Sequence, residues 1–186
     1  MSKKSNTFLI FILGLLAALG PFSIDMYLPG FKVMATSLNT TVNEIALTLS
    51  SYFIGISAGQ LLYGPLLDKF GRKKPLYLGV ALYLLASAGC YFSKDIDHLI
   101  FFRFIQAIGS CATAVASMAL VRDLFEPEQR PKVFASLMLV IALSPMLAPT
   151  AGGYMIAAFG WQSVFIFLSL MAIAIFMLSY FFIPDV

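Results

Sequence analysis

The chain alternates between long apolar runs and short clusters of charge. No Asp, Glu, Lys or Arg occurs from Ser5 to Ile24, from Ile45 to Leu67, from Pro75 to Ser93, from Phe104 to Val121, or from Val133 to Pro184. A hydrocarbon core of about 30 Å is crossed by about 20 residues of helix, so each gap holds one membrane helix and the last holds two. The pattern predicts six helices, at about 8–28, 45–67, 75–93, 98–121, 133–157 and 161–183. A membrane barrel would need segments of about ten alternating residues with turns between them, and none appear. The expected fold class is an all-α polytopic membrane protein, a single domain over 1–186.

Composition agrees. The 186 residues are 60% hydrophobic and 11% charged, where soluble chains carry about 25% charge. A soluble enzyme, a disordered chain and a nucleic-acid binder are excluded, and membrane lipid is the expected surrounding. Loop charge sets the orientation. Lys3, Lys4, Lys69, Arg72, Lys73, Lys74, Arg122, Arg130 and Lys132 fall on one side, and only Lys32 and Lys94 on the other. The first side is expected to be cytoplasmic, with both termini there. The run from Phe8 exceeds a signal-peptide core and no small-x-small cleavage site follows, so the first helix reads as uncleaved. Cys90 and Cys111 lack partners at metal spacing and read as packing residues. No P-loop, dinucleotide fingerprint or Cys/His cluster is present, so no metal and no cofactor is expected.

Two ionisable residues sit where lipid penalises them. Arg103 falls about five residues inside the fourth helix, and Asp25 falls near the far end of the first; the two reach similar depth. Moving an Arg to a helix centre costs about 2.5–3.5 kcal/mol on insertion scales, and such residues normally face a bundle interior or a water-filled cavity. Two readings stand side by side. In one, Arg103 snorkels to the headgroups and Asp25 simply ends its helix. In the other they form a proton- or substrate-responsive pair. Gln106 lies one turn from Arg103, and Ser110, Ala114 and Ser117 continue that face as a stripe of small residues suited to close packing.

The loop after the second helix reads Gly64-Pro65-Leu66-Leu67-Asp68-Lys69-Phe70-Gly71-Arg72-Lys73-Lys74. Gly71 permits a turn with φ above zero, and Asp68 at a helix end suits a cation or a helix amino terminus. The string resembles the cytoplasmic signature of the major facilitator superfamily, G-x-L-a-D-r-x-G-r-k. Gly64, Leu66, Asp68, Gly71, Arg72 and Lys73 match, while Leu67 departs from the usual small residue. Arg103-x-x-Gln106-x-x-Gly109 is similar to the family's fourth-helix motif, whose Arg often serves proton coupling. Ser144-Pro145-Met146-Leu147-Ala148-Pro149-Thr150-Ala151-Gly152-Gly153 resembles the fifth-helix antiporter signature in looser form, with Pro145, Pro149, Gly152 and Gly153 forming a kink. Ser23-Ile24-Asp25-Met26-Tyr27-Leu28-Pro29 and Val121-Arg122-Asp123-Leu124-Phe125-Glu126 narrow the resemblance to the bicyclomycin and chloramphenicol resistance branch of bacterial drug–proton antiporters.

That resemblance implies six helices arranged as two inverted three-helix repeats, the amino-terminal half of a twelve-helix fold in a bacterial inner membrane. It implies export of small hydrophobic drug-like substrates in exchange for protons, with the proton gradient as energy source. Asp25 is then the main carboxylate, and Arg103 and Gln106 act beside it. One half supplies one wall of a central cavity, so the expected partner is a carboxyl-terminal six-helix half or a second copy. A truncated or split gene, a fragment of a longer protein, a half-sized protein acting as a dimer, and a remnant or scaffold without transport all remain open. An enzyme reading rests on Gly55-Ile56-Ser57-Ala58-Gly59, which fits G-x-S-x-G. That string needs a strand–turn–helix context, and its glycines equally form a G-x-x-x-G packing face.

Overall fold

The structure, a computed structural model, describes residues 3–184, with side chains from Asn6 onward. The described residues form seven helices: α1 (Lys3–Asp25), α2 (Phe31–Ser37), α3 (Val42–Phe70), α4 (Lys73–Phe92), α5 (Ile96–Leu124), α6 (Arg130–Phe159) and α7 (Gln162–Phe182). Six stretches are long and apolar enough to cross a membrane, the first being Asn6–Ser37. Capping decides where several begin. Thr41 and Glu44 form a reciprocal capping box at α3, and the Asp95 carboxylate accepts the His98 amide at 2.9 Å at the start of α5. That amide holds the Asp95 carboxyl below the usual carboxylate range. The sequence pattern closes the first span near residue 28; here the chain turns through a 3-10 segment, Leu28–Gly30, and resumes as α2. Pro29 lacks the N–H that would bond the Asp25 carbonyl, which breaks the helix. The break does not end the span, because Met34 and Ala35 of α2 are buried in the core.

The helix pairings repeat. α3 packs on α5 as α6 packs on α1, α4 packs on α5 as α7 packs on α1, and α3–α4 matches α6–α7. Exchanging α1, α3 and α4 for α5, α6 and α7 therefore maps the bundle onto itself, the arrangement of two inverted three-helix repeats. The turns obey the same exchange. Gly71 closes α3 at φ 78°, ψ 177° and Gly160 closes α6 at φ 87°, ψ 167°, a region open essentially to glycine alone. Phe8 of α1 meets Phe182 of α7 at 4.9 Å between ring centres, and Tyr77 of α4 meets Phe176 at 5.0 Å. Both described chain ends thus lie at the end of the bundle that carries the α3–α4 turn and its cations, called the basic end below. At the opposite end the Trp161 indole donates to Ser37 at 3.2 Å.

α5 runs through the middle, touching α1, α3, α4 and α6. Its small residues make that possible. A Cβ on Gly109 would lie 2.6 Å from the Tyr83 amide nitrogen of α4, and one on Gly55 of α3 would lie 2.6 Å from the Phe104 carbonyl oxygen. The Ser117 hydroxyl donates to the Leu13 carbonyl at 2.9 Å, tying α5 to α1. Large apolar side chains such as Leu61, Leu78, Leu85, Phe92, Met146 and Phe159 cover the outside, as a surface solvated by acyl chains requires.

Candidate functional site

Four helices each place polar side chains about one turn apart toward a shared interior. Ser23 and Tyr27 come from α1 and its break, Thr48 and Tyr52 from α3, Tyr83 and Ser87 from α4, and Arg103, Gln106 and Ser110 from α5; all are buried. Arg103 is at the centre, 0% exposed. Its guanidinium carbon lies 4.2 Å from the Tyr27 ring centre and 4.2 Å from that of Tyr52. The cation is sandwiched between two π faces, an attraction worth about 2 kcal/mol or more when desolvated. One Arg103 amino group donates to Gln106 Oε1 at 2.6 Å, and Gln106 Nε2 donates in turn to the Ser87 hydroxyl at 2.8 Å. The tyrosines are fixed by their far ends: Tyr27 shares a hydrogen bond with Thr48 at 3.0 Å, and Tyr52 with Ser110 at 2.7 Å. Ser23 and Tyr83 pair at 2.6 Å. Arg103 Nε and its second amino group have no hydrogen-bond partner among the described residues.

This geometry bears on parts of both readings: Arg103 lies inside the bundle and does not snorkel, while Asp25 does end its helix. Arg103 and Gln106 are brought together, but no ion pair or hydrogen bond among the described residues joins Asp25 to Arg103. Asp25 is the last residue of α1 and only partly buried. Its link to the cation is through the backbone, two residues ahead of Tyr27 at the helix break. The sequence offers Tyr27 and Tyr52, with Phe22, Phe53 and Tyr63, as aromatics that could line an apolar pocket; that these two enclose Arg103 together with the Gln106–Ser87 link is seen only in the structure. The signal for the set is the four-residue spacing of Ser23/Tyr27, Thr48/Tyr52 and Tyr83/Ser87 within otherwise apolar helices.

At the basic end, Arg72 Nε donates to Asp123 at 2.7 Å and an Arg72 amino group donates to Asp68 at 2.9 Å. The Asp123 bond, then the Asp68 bond, raises the affinity of Arg72 for its proton. Asp68, Gly71 and Arg72 thus belong to a clasp from the α3–α4 turn to the foot of α5. Gly64, Asp68 and Arg72 also line a crevice of about 240 Å³ facing Met118 and Arg122 of α5. Lys73 opens α4 immediately beyond Arg72. Arg130 completes this end by donating to the Phe125 and Arg122 carbonyls at 3.0 and 2.7 Å.

The α6 residues serve the α1 break. A Cβ on Gly152 would fall 1.8 Å from the Met26 carbonyl oxygen, so α6 lies directly on the interrupted backbone; beside Gly153 there is room, the nearest atom lying 3.9 Å away. Pro145 and Pro149 stay within one continuous helix, and their missing N–H groups free the Ile141 and Pro145 carbonyls. Ser57 lies within α3, exposed, donating to the Phe53 carbonyl at 3.1 Å. Gly55 and Gly59 face Ala107 and Cys111 of α5. The string is a packing face, and no nucleophile elbow exists there. No cluster of metal-ligating side chains occurs among the described residues.

The family model of the Major Facilitator Superfamily matches residues 10–186. A bicyclomycin resistance protein homolog from Haemophilus influenzae is 37% identical over 186 residues, all of this chain and 47% of that protein. The chloramphenicol resistance protein of Pseudomonas aeruginosa is 36% identical over 93% of this chain and 41% of its own length. The multidrug resistance protein MdtL of Escherichia coli is 34% identical over 91% of this chain and 44% of its own. The chain spans about half the length of the curated relatives it matches. Among solved structures, the proton:xylose symporter XylE superposes with a TM-score of 0.86 at 16% identity, over 100% of this chain and 46% of that one. At that identity the likeness speaks to fold.

Proposed function

We propose, because the chain belongs to the Major Facilitator Superfamily, a family of transporters and not enzymes, that it forms the amino-terminal half of a proton-coupled exporter of hydrophobic drugs. The similarity to bicyclomycin, chloramphenicol and multidrug resistance proteins over nearly its whole length supports the substrate class. Arg103 carries the reading: a guanidinium 0% exposed, stacked between two tyrosines, with two donor groups unpaired among the described residues. Arginine stays protonated at any accessible pH, so this charge is a fixed element. Asp25 is the titratable one.

Because Asp25 ends α1 and Tyr27 follows at the break, a proton gained or lost at Asp25 acts on Arg103 through the turn that positions the Tyr27 ring. Gly152 of α6, seated on Met26, holds that turn from the other side. Transport by this scheme needs a second six-helix body, which moves against this one around a midplane site. The clasp around Asp68 and Arg72 serves as the latch at the cytoplasmic face of a bacterial inner membrane.

The test uses bacterial cells stripped of their own efflux pumps. The chain is expressed alone and together with the carboxyl-terminal half of the Haemophilus influenzae relative, and accumulation of a hydrophobic fluorescent dye is followed. The expected result is reduced accumulation when a second six-helix body is present, abolished by a proton uncoupler and by Asp25→Asn. Unchanged accumulation in every combination, or efflux indifferent to the uncoupler, overturns the proposal.

A further inference from the structure

A groove of about 460 Å³ opens between α3 and α4 at the basic end, on the outside of the bundle and away from the Arg103 cluster. It exists because α3 and α4, although joined by the two-residue turn Gly71-Arg72, each pack chiefly on α5 and part from one another. Tyr63, Leu66, Phe70, Leu78 and Leu82 form its walls, with Lys74 at the mouth. Leu78 and Phe70 are exposed. A second cation stands beside it, since the Lys69 ammonium sits 5.3 Å from the centre of the Phe70 ring. Neither Lys69 nor Lys74 has an ion-pair partner among the described residues. Asp68, the residue before Lys69, is engaged by Arg72.

From this arrangement we infer that the groove is a binding site for an anionic phospholipid, with one acyl chain between α3 and α4 and the phosphate between Lys69 and Lys74. The charge and the length both fit. From Lys74 to Leu82 is eight residues, about 12 Å along the helix, so the apolar trough begins at the span boundary where headgroups lie and runs into the acyl region. Two ammonium groups, Lys74 at its mouth and Lys69 beside it, without an ion-pair partner among the described residues, match an anionic headgroup better than a zwitterionic one, whose own cation they repel. The apolar trough distinguishes this site from the general attraction of basic loops to anionic leaflets. The inference concerns the outer face of the bundle and stands independently of the transport proposal.

The experiment compares phosphatidylglycerol with phosphatidylcholine of identical chains. In native mass spectrometry of the purified chain, phosphatidylglycerol should persist as a single adduct under activation that strips phosphatidylcholine. In vesicles, a Leu78→Trp reporter should be quenched more by brominated phosphatidylglycerol than by brominated phosphatidylcholine at equal mole fraction; the native Trp161 is buried at the opposite end. Lys69→Gln with Lys74→Gln should weaken the headgroup preference about fivefold per lysine, while Lys132→Gln, at the same end but outside the groove, should leave it unchanged. Equal retention of the two lipids by the unmodified chain overturns the inference. So does a Lys132→Gln effect as large as that of either groove lysine, which would assign the preference to diffuse surface charge.

Discussion

Arg103 remains charged wherever the protein works, so its burial must be compensated by neighbours and not by loss of a proton. Two rings, one glutamine and the hydroxyls behind them do this without a carboxylate. Tyr52 allows the contributions to be separated. Tyr52→Phe keeps the π face and removes the bond to Ser110, an expected loss of about 1 kcal/mol. Tyr52→Leu removes the face itself, an expected loss of about 2 kcal/mol or more from the cation alone. Thermal unfolding in detergent should rank the variants wild type, Phe, Leu; equal losses for Phe and Leu would mean that the ring contributes nothing as an aromatic. The sequence exposes Arg103 and Gln106 because charge and amide are conspicuous in an apolar run. It hides Tyr27 and Tyr52, since a tyrosine in a membrane helix suits the interface, the core and the cage alike, and only the packing of α1 and α3 around α5 selects one.

Helices break and touch where backbone chemistry allows. Pro29 interrupts the first span, and α6 exploits the interruption by laying Gly152 on the Met26 carbonyl. Adjacent glycines therefore have opposite tolerance. Gly152→Ala drives a Cβ into backbone that has no rotamer with which to yield, and should cut the folded yield and lower the thermal midpoint. Gly153→Ala makes only an ordinary van der Waals contact, with Pro29 at 3.9 Å, and should be neutral or stabilising by up to about 1 kcal/mol, because alanine favours the helix. Folded yield and thermal midpoint of the two variants in parallel check this; similar behaviour would contradict the close approach. The proline and glycine pattern of α6 is legible in the sequence, but what Gly152 packs against is not, because its partner is a discontinuity in another helix. The same discontinuity explains why the first span runs past residue 28: Pro29-Gly30 has the composition of a helix end and functions as a joint.

Across the whole molecule the two three-helix units are joined by the chain at one end, through residues 93–95, and by side chains at the other, the basic end. Arg72 belongs to the first unit and Asp123 to the second, and their 2.7 Å pair is three-quarters buried on both sides. A double-mutant cycle over Arg72→Ala and Asp123→Ala should give a coupling of about 1 kcal/mol, weakening as salt is raised. Zero coupling at low salt would reduce the clasp to a coincidence of position. The six spans and the family were readable from charge spacing and from the Gly64–Lys73 string. The repeat itself is faint in the sequence, surfacing at Gly71-Arg72 and Gly160-Trp161, where an identical backbone demand selects glycine and leaves the following residue free to differ.

The cage around Arg103 also bears on how the protein is made. Tyr27, Tyr52 and Ser87 all precede position 103 in the chain, and a nascent polypeptide emerges amino terminus first. When the ribosome delivers α5, with Arg103 in its interior, the three helices that supply Tyr27, Tyr52 and Ser87 have already been synthesised. Vectorial insertion thus offers α5 a prepared berth, and the guanidinium need not wait in lipid for its neighbours.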